Sequence, residues 1–177
     1  MDIYLTNHAN VRHTKFCSAD GQIMYKSETP GLLHTGKKTT IYKVIPNNDP
    51  EHMIDRFTEL ATIDWRVVKS STLAYNGVEM PIAIKGIFGR HRIFTAPGDG
   101  RLFKWTLGSF RVTLVLNDGS NTVVARGHRS NIGFIGKPRQ ARLEIFPNFN
   151  HLADVILVTY LLTERIRKDR ERNRRRG

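Results

Sequence analysis

A single cysteine, Cys17, stands in a chain of 177 residues, so no intrachain disulfide can form and a hydrophobic core must hold the fold. A reducing compartment is the expectation that follows. Metal-ligand spacing is missing as well. The histidines His8, His13, His34, His52, His91, His128 and His151 are scattered and Cys17 has no Cys partner, so no metal and no cofactor are expected. There is no Walker or dinucleotide glycine pattern, and no Ser, His and Asp fall in a recognised nucleophile context. The expectation is a protein that is not an enzyme. The N-terminus has no basic region leading into an apolar run, so no signal peptide is expected. Its Asp2 stands where myristoylation needs glycine. Long apolar runs are also absent. The most apolar stretch, Leu152 to Leu162, would reach about 16 Å as a helix against a ~30 Å hydrocarbon core, and it carries Asp154. No transmembrane span is expected.

Acidic residues are the remaining scarcity: 16 Asp and Glu face 28 Lys and Arg, a formal charge of +12. Residues 164–177 hold eight Arg or Lys against three acids, a net of +5, which leaves about +7 on the body. Such a balance points to an anionic partner, whether nucleic acid, an anionic membrane face or an acidic protein. Charge that serves solubility alone is the competing reading.

What is present over the first three quarters is a rhythm of short strands and turns. Ile3–Thr6, Gln22–Lys26, Thr39–Ile45 and Phe57–Val67 read as strands, the last after a short helical turn beyond Asp49-Pro50. Ser71–Tyr75 and Val78–Met80 flank Asn76-Gly77, which supplies the two positive φ values of a type I′ hairpin. Ile82–Thr95, Arg101–Leu107, Arg111–Leu116, Thr122–Arg126 and Ala141–Phe146 continue the pattern, with turns every eight to twelve residues. No helix-length pattern separates these strands, which argues against a parallel α/β sheet.

Residues 152–162 are apolar nearly all round, so a helix here is buried on every side. Asn150 is the expected N-cap and Asp154 complements the dipole. A closed antiparallel β-barrel of about 10–12 strands wrapped around this C-terminal helix satisfies both patterns and removes the sheet edges. A helix lying on one open sheet is the rival. One domain, 1–163, is expected, including the start of the central helix at 150–163. A basic, solvent-exposed helix extension and tail then covers 164–177.

The segments Phe88-Gly-Arg-His-Arg-Ile-Phe-Thr95, Gly98-Asp-Gly-Arg-Leu-Phe-Lys-Trp105, Leu143-Glu-Ile-Phe-Pro147 and Asp154 to Arg172 occur in that order. Together with Ile3-Tyr-Leu-Thr6, Thr39-Thr-Ile-Tyr42 and Glu59–Trp65 they resemble a family of domains of unknown function abundant in mushroom-forming fungi. That family is similar to the tubby C-terminal, scramblase and LURP-one-related group. The resemblance covers most of the chain and implies a β-barrel around a hydrophobic C-terminal helix. It also implies work at membranes, since tubby domains bind phosphoinositides and scramblase-like proteins act at bilayers. It carries over no ligand residue, and the Cys-rich and Pro-rich segments of scramblases are absent here.

Two basic groups are candidates for anion or phosphate binding. Lys85, Arg90 and Arg92 surround Gly86 and Gly89, where a flexed loop brings backbone N–H groups and Arg forks close to phosphate. The competing reading makes both glycines bulges in a strand with the charges in solvent. Arg126, Arg129 and Arg142, with Lys137, Arg139 and Phe134, form the second group, in which aromatic interleaving suits single-stranded nucleic acid. The basic tail comprises Arg165, Arg167, Lys168, Arg170, Arg172, Arg174, Arg175 and Arg176. Pairs such as Glu164–Lys168 would extend a helix without any ligand; the closing arginines suit an anionic surface or a nuclear address. The leading expectation is a cytoplasmic, membrane-peripheral or nuclear barrel that binds anionic lipid. An RNA-binding module and a protein-interaction scaffold are the alternatives.

Overall fold

A computed structural model of the chain describes residues 1–7, 9–31, 37–45, 56–66, 70–131 and 139–177. Their first seven strands are β1 (Asp2–Leu5), β2 (Thr14–Cys17), β3 (Ile23–Glu28), β4 (Lys38–Ile45), β5 (Arg56–Asp64), β6 (Thr72–Tyr75) and β7 (Val78–Met80). Six more follow: β8 (Ala83–Lys85), β9 (His91–Thr95), β10 (Leu102–Leu107), β11 (Val112–Leu116), β12 (Val123–His128) and β13 (Arg142–Ile145). The chain closes with the helix α1 (Ala153–Arg174). All strands form one antiparallel sheet in the order β7-β6-β5-β4-β3-β2-β1-β13-β12-β11-β10-β9-β8. Two meanders are thus joined where β1 pairs with β13.

Period-two alternation explains the wall. In β10, Phe103, Trp105 and Leu107 turn inward, and in the neighbouring β11 Val112, Leu114 and Leu116 do the same. Asn76 (φ 48°) and Gly77 (φ 77°) make the β6–β7 turn with two positive φ values, as their sequence requires. The sheet curls about α1, which touches β5 and β6 on one side and β10, β11 and β12 on the other. Every residue from Val155 to Glu164 is buried. Polar groups on the helix are matched: Trp105 Nε1 donates to Thr159 Oγ1 (3.0 Å), and Asp154 accepts from Tyr25 (2.6 Å) and Lys43 (2.7 Å). Where β12 passes Tyr160 the strand residue is Gly127, and a Cβ there would stand 2.8 Å from the Tyr160 ring.

Several expectations are corrected. There are thirteen strands among the described residues, not 10–12; the unforeseen β2 is short and has no glycine or proline before it. The run Ile82–Thr95 is not one strand, because the 3-10 turn Ile87–Gly89 divides β8 from β9. Asn150 is not the cap of α1 but lies inside the 3-10 turn Pro147–Leu152 that leads into it. The helical turn expected after Pro50 lies outside the described residues.

The closed barrel is the largest correction: no ladder joins β7 to β8, so hydrogen bonds do not close the sheet. With every neighbouring pair antiparallel, β7 and β8 run in the same direction. The chain therefore crosses from one sheet edge to the other through Pro81-Ile82 without turning back. Proline has no N–H to give to a ladder, and the pairing stops there. The helix also stays in the protein beyond 163. Glu164 and Arg167 are buried as an ion pair (2.7 Å), and continuous exposure begins only at Arg172.

Candidate functional site

Two loops flank the C-terminal half of α1. The first, residues 86–90, turns through three positive φ values: Gly86 (79°), Phe88 (56°) and Gly89 (62°). A bulky residue with positive φ is strained by about 1–2 kcal/mol, and Phe88 holds this conformation while 85% exposed. Ile87 beside it is 78% exposed. The second loop, Gly108–Arg111, is closed by Gly108 N–H donating to the Arg111 carbonyl (3.0 Å) and presents Phe110 at 75% exposure. Both loops are tied to the helix and to each other. Arg170 Nη2 donates to the Gly89 carbonyl (3.0 Å), Arg167 Nη1 donates to the Ser109 carbonyl (3.3 Å), and Leu107 N–H donates to the Arg90 carbonyl (2.9 Å). Arg90, Arg167, Arg170 and Arg174 line the small cleft between the loops, with Glu171 as its one acid. Three exposed apolar side chains thus stand on loops around a cationic cleft.

Arg92 sits beneath this surface. It is 6% exposed, and its Nη1 donates to the carbonyls of Gly89 (2.7 Å) and His91 (3.0 Å). Burial, and then the charge of Arg170, lower the Arg92 pKa. Arg92 also lines a cavity of about 310 Å³ at the open seam of the sheet, with Ser70, Ser71, Ile82, Ile84, Leu162 and Ile166.

On the other side of the helix end lies a cavity of about 450 Å³, lined among others by His128, Arg129, Tyr160, Lys168, Glu171 and Arg172. Its charges are largely matched. Glu171 accepts from Arg129, from Arg167 (3.0 Å) and from Arg175 (2.7 Å), and the Arg129 hydrogen bond leads in holding its pKa down at about 2. Burial lowers the pKa of Lys168, whose Nζ lies 4.0 Å from Glu164.

The expected basic residues are therefore sorted. Arg90 and Arg92 join Arg170 and Arg174 around the first cleft and seam; Lys85 ends the exposed strand β8 nearby. Arg129 joins Lys168, Arg172 and Arg175 around the second cavity. Arg126 and Arg142 stay on the wall, Arg126 over the Phe146 ring (5.2 Å) and Arg142 on Asp2 (3.1 Å). Arg165 pairs with Asp169 (2.9 Å), and Arg176 is in the exposed tail. Charges around Gly86 and Gly89 are not all in solvent, since Arg92 is buried, and the two glycines shape a turn, not a bulge within a strand. Phe134 and Lys137, on which the aromatic interleaving rests, lie outside the described residues. Sequence reasoning passed over Ile87, Phe88 and Phe110. Their signal was there: an apolar pair between two glycines, and a phenylalanine between Ser109 and Arg111, each in a basic setting.

Among the described residues, no helix is long and apolar enough to cross a membrane. The sequence profile of a family of unknown function (DUF6593) matches residues 9–169. No curated protein and no solved structure matches the chain.

Proposed function

Since the chain belongs to that family of unknown function, its own surface is the guide to its role, and we propose that it is a peripheral membrane-binding domain without enzymatic activity. It docks on anionic lipid with the helix end of the molecule. The observation that carries this reading is the exposure of Ile87, Phe88 and Phe110 on the two loops that flank the Arg90–Arg170–Arg174 cleft. Apolar tips in water gain about 1.5–3 kcal/mol each on full burial, which the acyl boundary of a bilayer offers. Cations near an anionic leaflet add about 1 kcal/mol each, and the exposed Arg172, Arg174, Arg175 and Arg176 continue the same end of the molecule. The strain at Phe88 supports a selected presentation of its ring. A sheet curled on an apolar C-terminal helix is the support for grouping the domain with the fungal relatives and the tubby, scramblase and LURP-one-like barrels. A cytoplasmic leaflet, rich in anionic lipid, is the surface that fits.

Sedimentation with phosphatidylserine-containing vesicles tests the proposal, with neutral phosphatidylcholine vesicles and single-stranded RNA as the other arms. The expected result is retention on the anionic vesicles alone, weakening as salt rises. Phe88→Gly removes one tip and relieves the positive-φ strain, so it should lower vesicle retention several-fold at no cost in melting temperature. Equal retention on neutral vesicles, or binding to RNA in preference to lipid, would refute the docking role.

A further inference from the structure

We infer that the cavity at the open seam holds one single-chain anionic amphiphile, its carboxylate or phosphate head on Arg92 and Arg170 and its hydrocarbon chain along Ile82, Ile84, Leu162 and Ile166. The cavity, about 310 Å³, exists because the ladder stops between β7 and β8, which opens a window onto the central helix. Its apolar part comes from both sides of that window, Ile82 and Ile84 from the wall and Leu162 and Ile166 from α1. Such a volume lies within the ~300–1,000 Å³ of small-molecule sites.

The charge at its rim is unmatched. Arg92 spends its Nη1 on two backbone carbonyls, while its Nε and Nη2 meet no acceptor among the described residues. Arg170 reaches the same Gly89 oxygen, so two guanidiniums converge on one neutral acceptor. No carboxylate pairs with either among the described residues. Yet Arg129, Arg165, Arg167 and Arg175 around the same helix end each hold one. Arg90 and Arg174 beside them form no ion pair with a carboxylate among the described residues either, so the unpaired charge extends from the seam into the neighbouring cleft. Buried cations are ordinarily paired, and an anion that spans both arginines would complete the site. Planar guanidinium forks match carboxylate and phosphate oxygens two at a time. Head and tail sites also meet at one point. A Cβ built on Gly89 would lie 3.0 Å from Ile84 Cγ2, 3.5 Å from Arg170 Nη2 and 3.9 Å from Arg92 Nη1. The cationic pair and the apolar wall are thus in the order that an amphiphile presents them. This site takes a single molecule and does not require that the domain dock on a bilayer.

Isothermal titration of the full chain with sodium laurate, below its micelle concentration and without vesicles, tests the site. Lauryl phosphate, 1-dodecanol and inorganic phosphate are the comparison probes. Laurate and lauryl phosphate should each bind one per chain, dodecanol about tenfold or more weaker, and inorganic phosphate not measurably. A clear preference between laurate and lauryl phosphate identifies the head group. Arg170→Gln is the charge variant because Arg92 is buried; it should weaken laurate about tenfold and leave dodecanol where it was. Ser71→Trp, just before β6, and Ile84→Trp, in β8, fill the cavity from different sides, and whichever keeps the native circular dichroism spectrum should lose both ligands. Equal affinity for laurate and dodecanol, or full laurate affinity in a folded cavity-filling variant, overturns the proposal. So does the absence of saturable laurate binding. If that absence accompanies retention on anionic vesicles, the amphiphile site falls and surface docking stands; with laurate binding but no vesicle retention, the site stands and surface docking falls.

Discussion

At the scale of single residues the cationic end is organised by Glu171. Arg129, Arg167 and Arg175 all donate to its carboxylate, and the Arg129 hydrogen bond leads in depressing its pKa to about 2. An unfolded glutamate titrates near ~4.3. A carboxyl whose folded pKa lies below its unfolded one stabilises the fold above the unfolded value and loses that contribution as pH falls through the folded one. The window here runs from about 4.3 down to about 2. Glu171→Gln should therefore melt below the native chain at pH 6, with the gap closing as the pH is lowered through that window. Thermal melts at pH 6, 5, 4, 3 and 2 give the comparison, and a gap of constant size would show that the carboxylate charge contributes nothing. The sequence presents the cations of 165–176 as one class. Helical spacing suggests i,i+4 partners such as Glu164–Lys168, but that pair is 4.0 Å apart while Arg167 takes Glu164 at 2.7 Å. Spacing does separate Arg167, with Glu164 three residues before it and Glu171 four after, from Arg170, which has no acid at three or four; what it does not show is that both also reach loop carbonyls, those of Ser109 and Gly89, far away in sequence.

At the scale of elements the helix was the most legible part of the chain, because a segment apolar on all sides has only buried solutions. Most strands were legible for a similar reason: inward Phe103, Trp105 and Leu107 alternate with outward neighbours. Strand β2 was not, since Thr14-Lys-Phe-Cys17 is short and follows no turn signal. The change from core to tail was misjudged because charged residues read as solvated, whereas Glu164 and Arg167 neutralise one another inside the wall and Ile166 packs on the core. This has a measurable result. Removing 172–177 should leave the melting temperature within a few degrees of the full chain. Removing 164–177 uncovers Tyr160 and Leu161 and should cost about 3–5 kcal/mol, roughly 10 °C or more. If both truncations melt alike, the core ends at Leu162 and the outer half of α1 is dispensable for folding.

For the molecule as a whole, the seam was the least legible feature. Strand rhythm argues for a sheet that rids itself of edges, and it holds no record of where pairing stops. Pro81 was visible as a residue without an N–H, but not as the crossing between two edges that run in one direction. The cavity beneath it was correspondingly invisible, because Ser71, Ile84, Arg92 and Ile166 come together only through the curl of the sheet. Since no ladder spans the seam, a break in the chain between Pro81 and Ile82 severs no strand pairing. Fragments 1–81 and 82–177, expressed together, should join through β1 and β13 and co-elute on size exclusion with a native-like circular dichroism spectrum. Separate elution would show that the covalent crossing is needed to hold the two meanders. The placement of the helix bears, finally, on how the chain is made. The element that fills the hollow of the sheet is synthesised after every strand that surrounds it. At ~5–20 residues per second, about 5–20 s separate the emergence of Met80 from that of the end of α1. Over that interval the first seven strands carry Phe16, Ile41 and Ile63 with no helix to cover them. A nascent chain of this protein is thus a natural client for ribosome-associated chaperones, and its yield should depend more on them than its final stability would indicate.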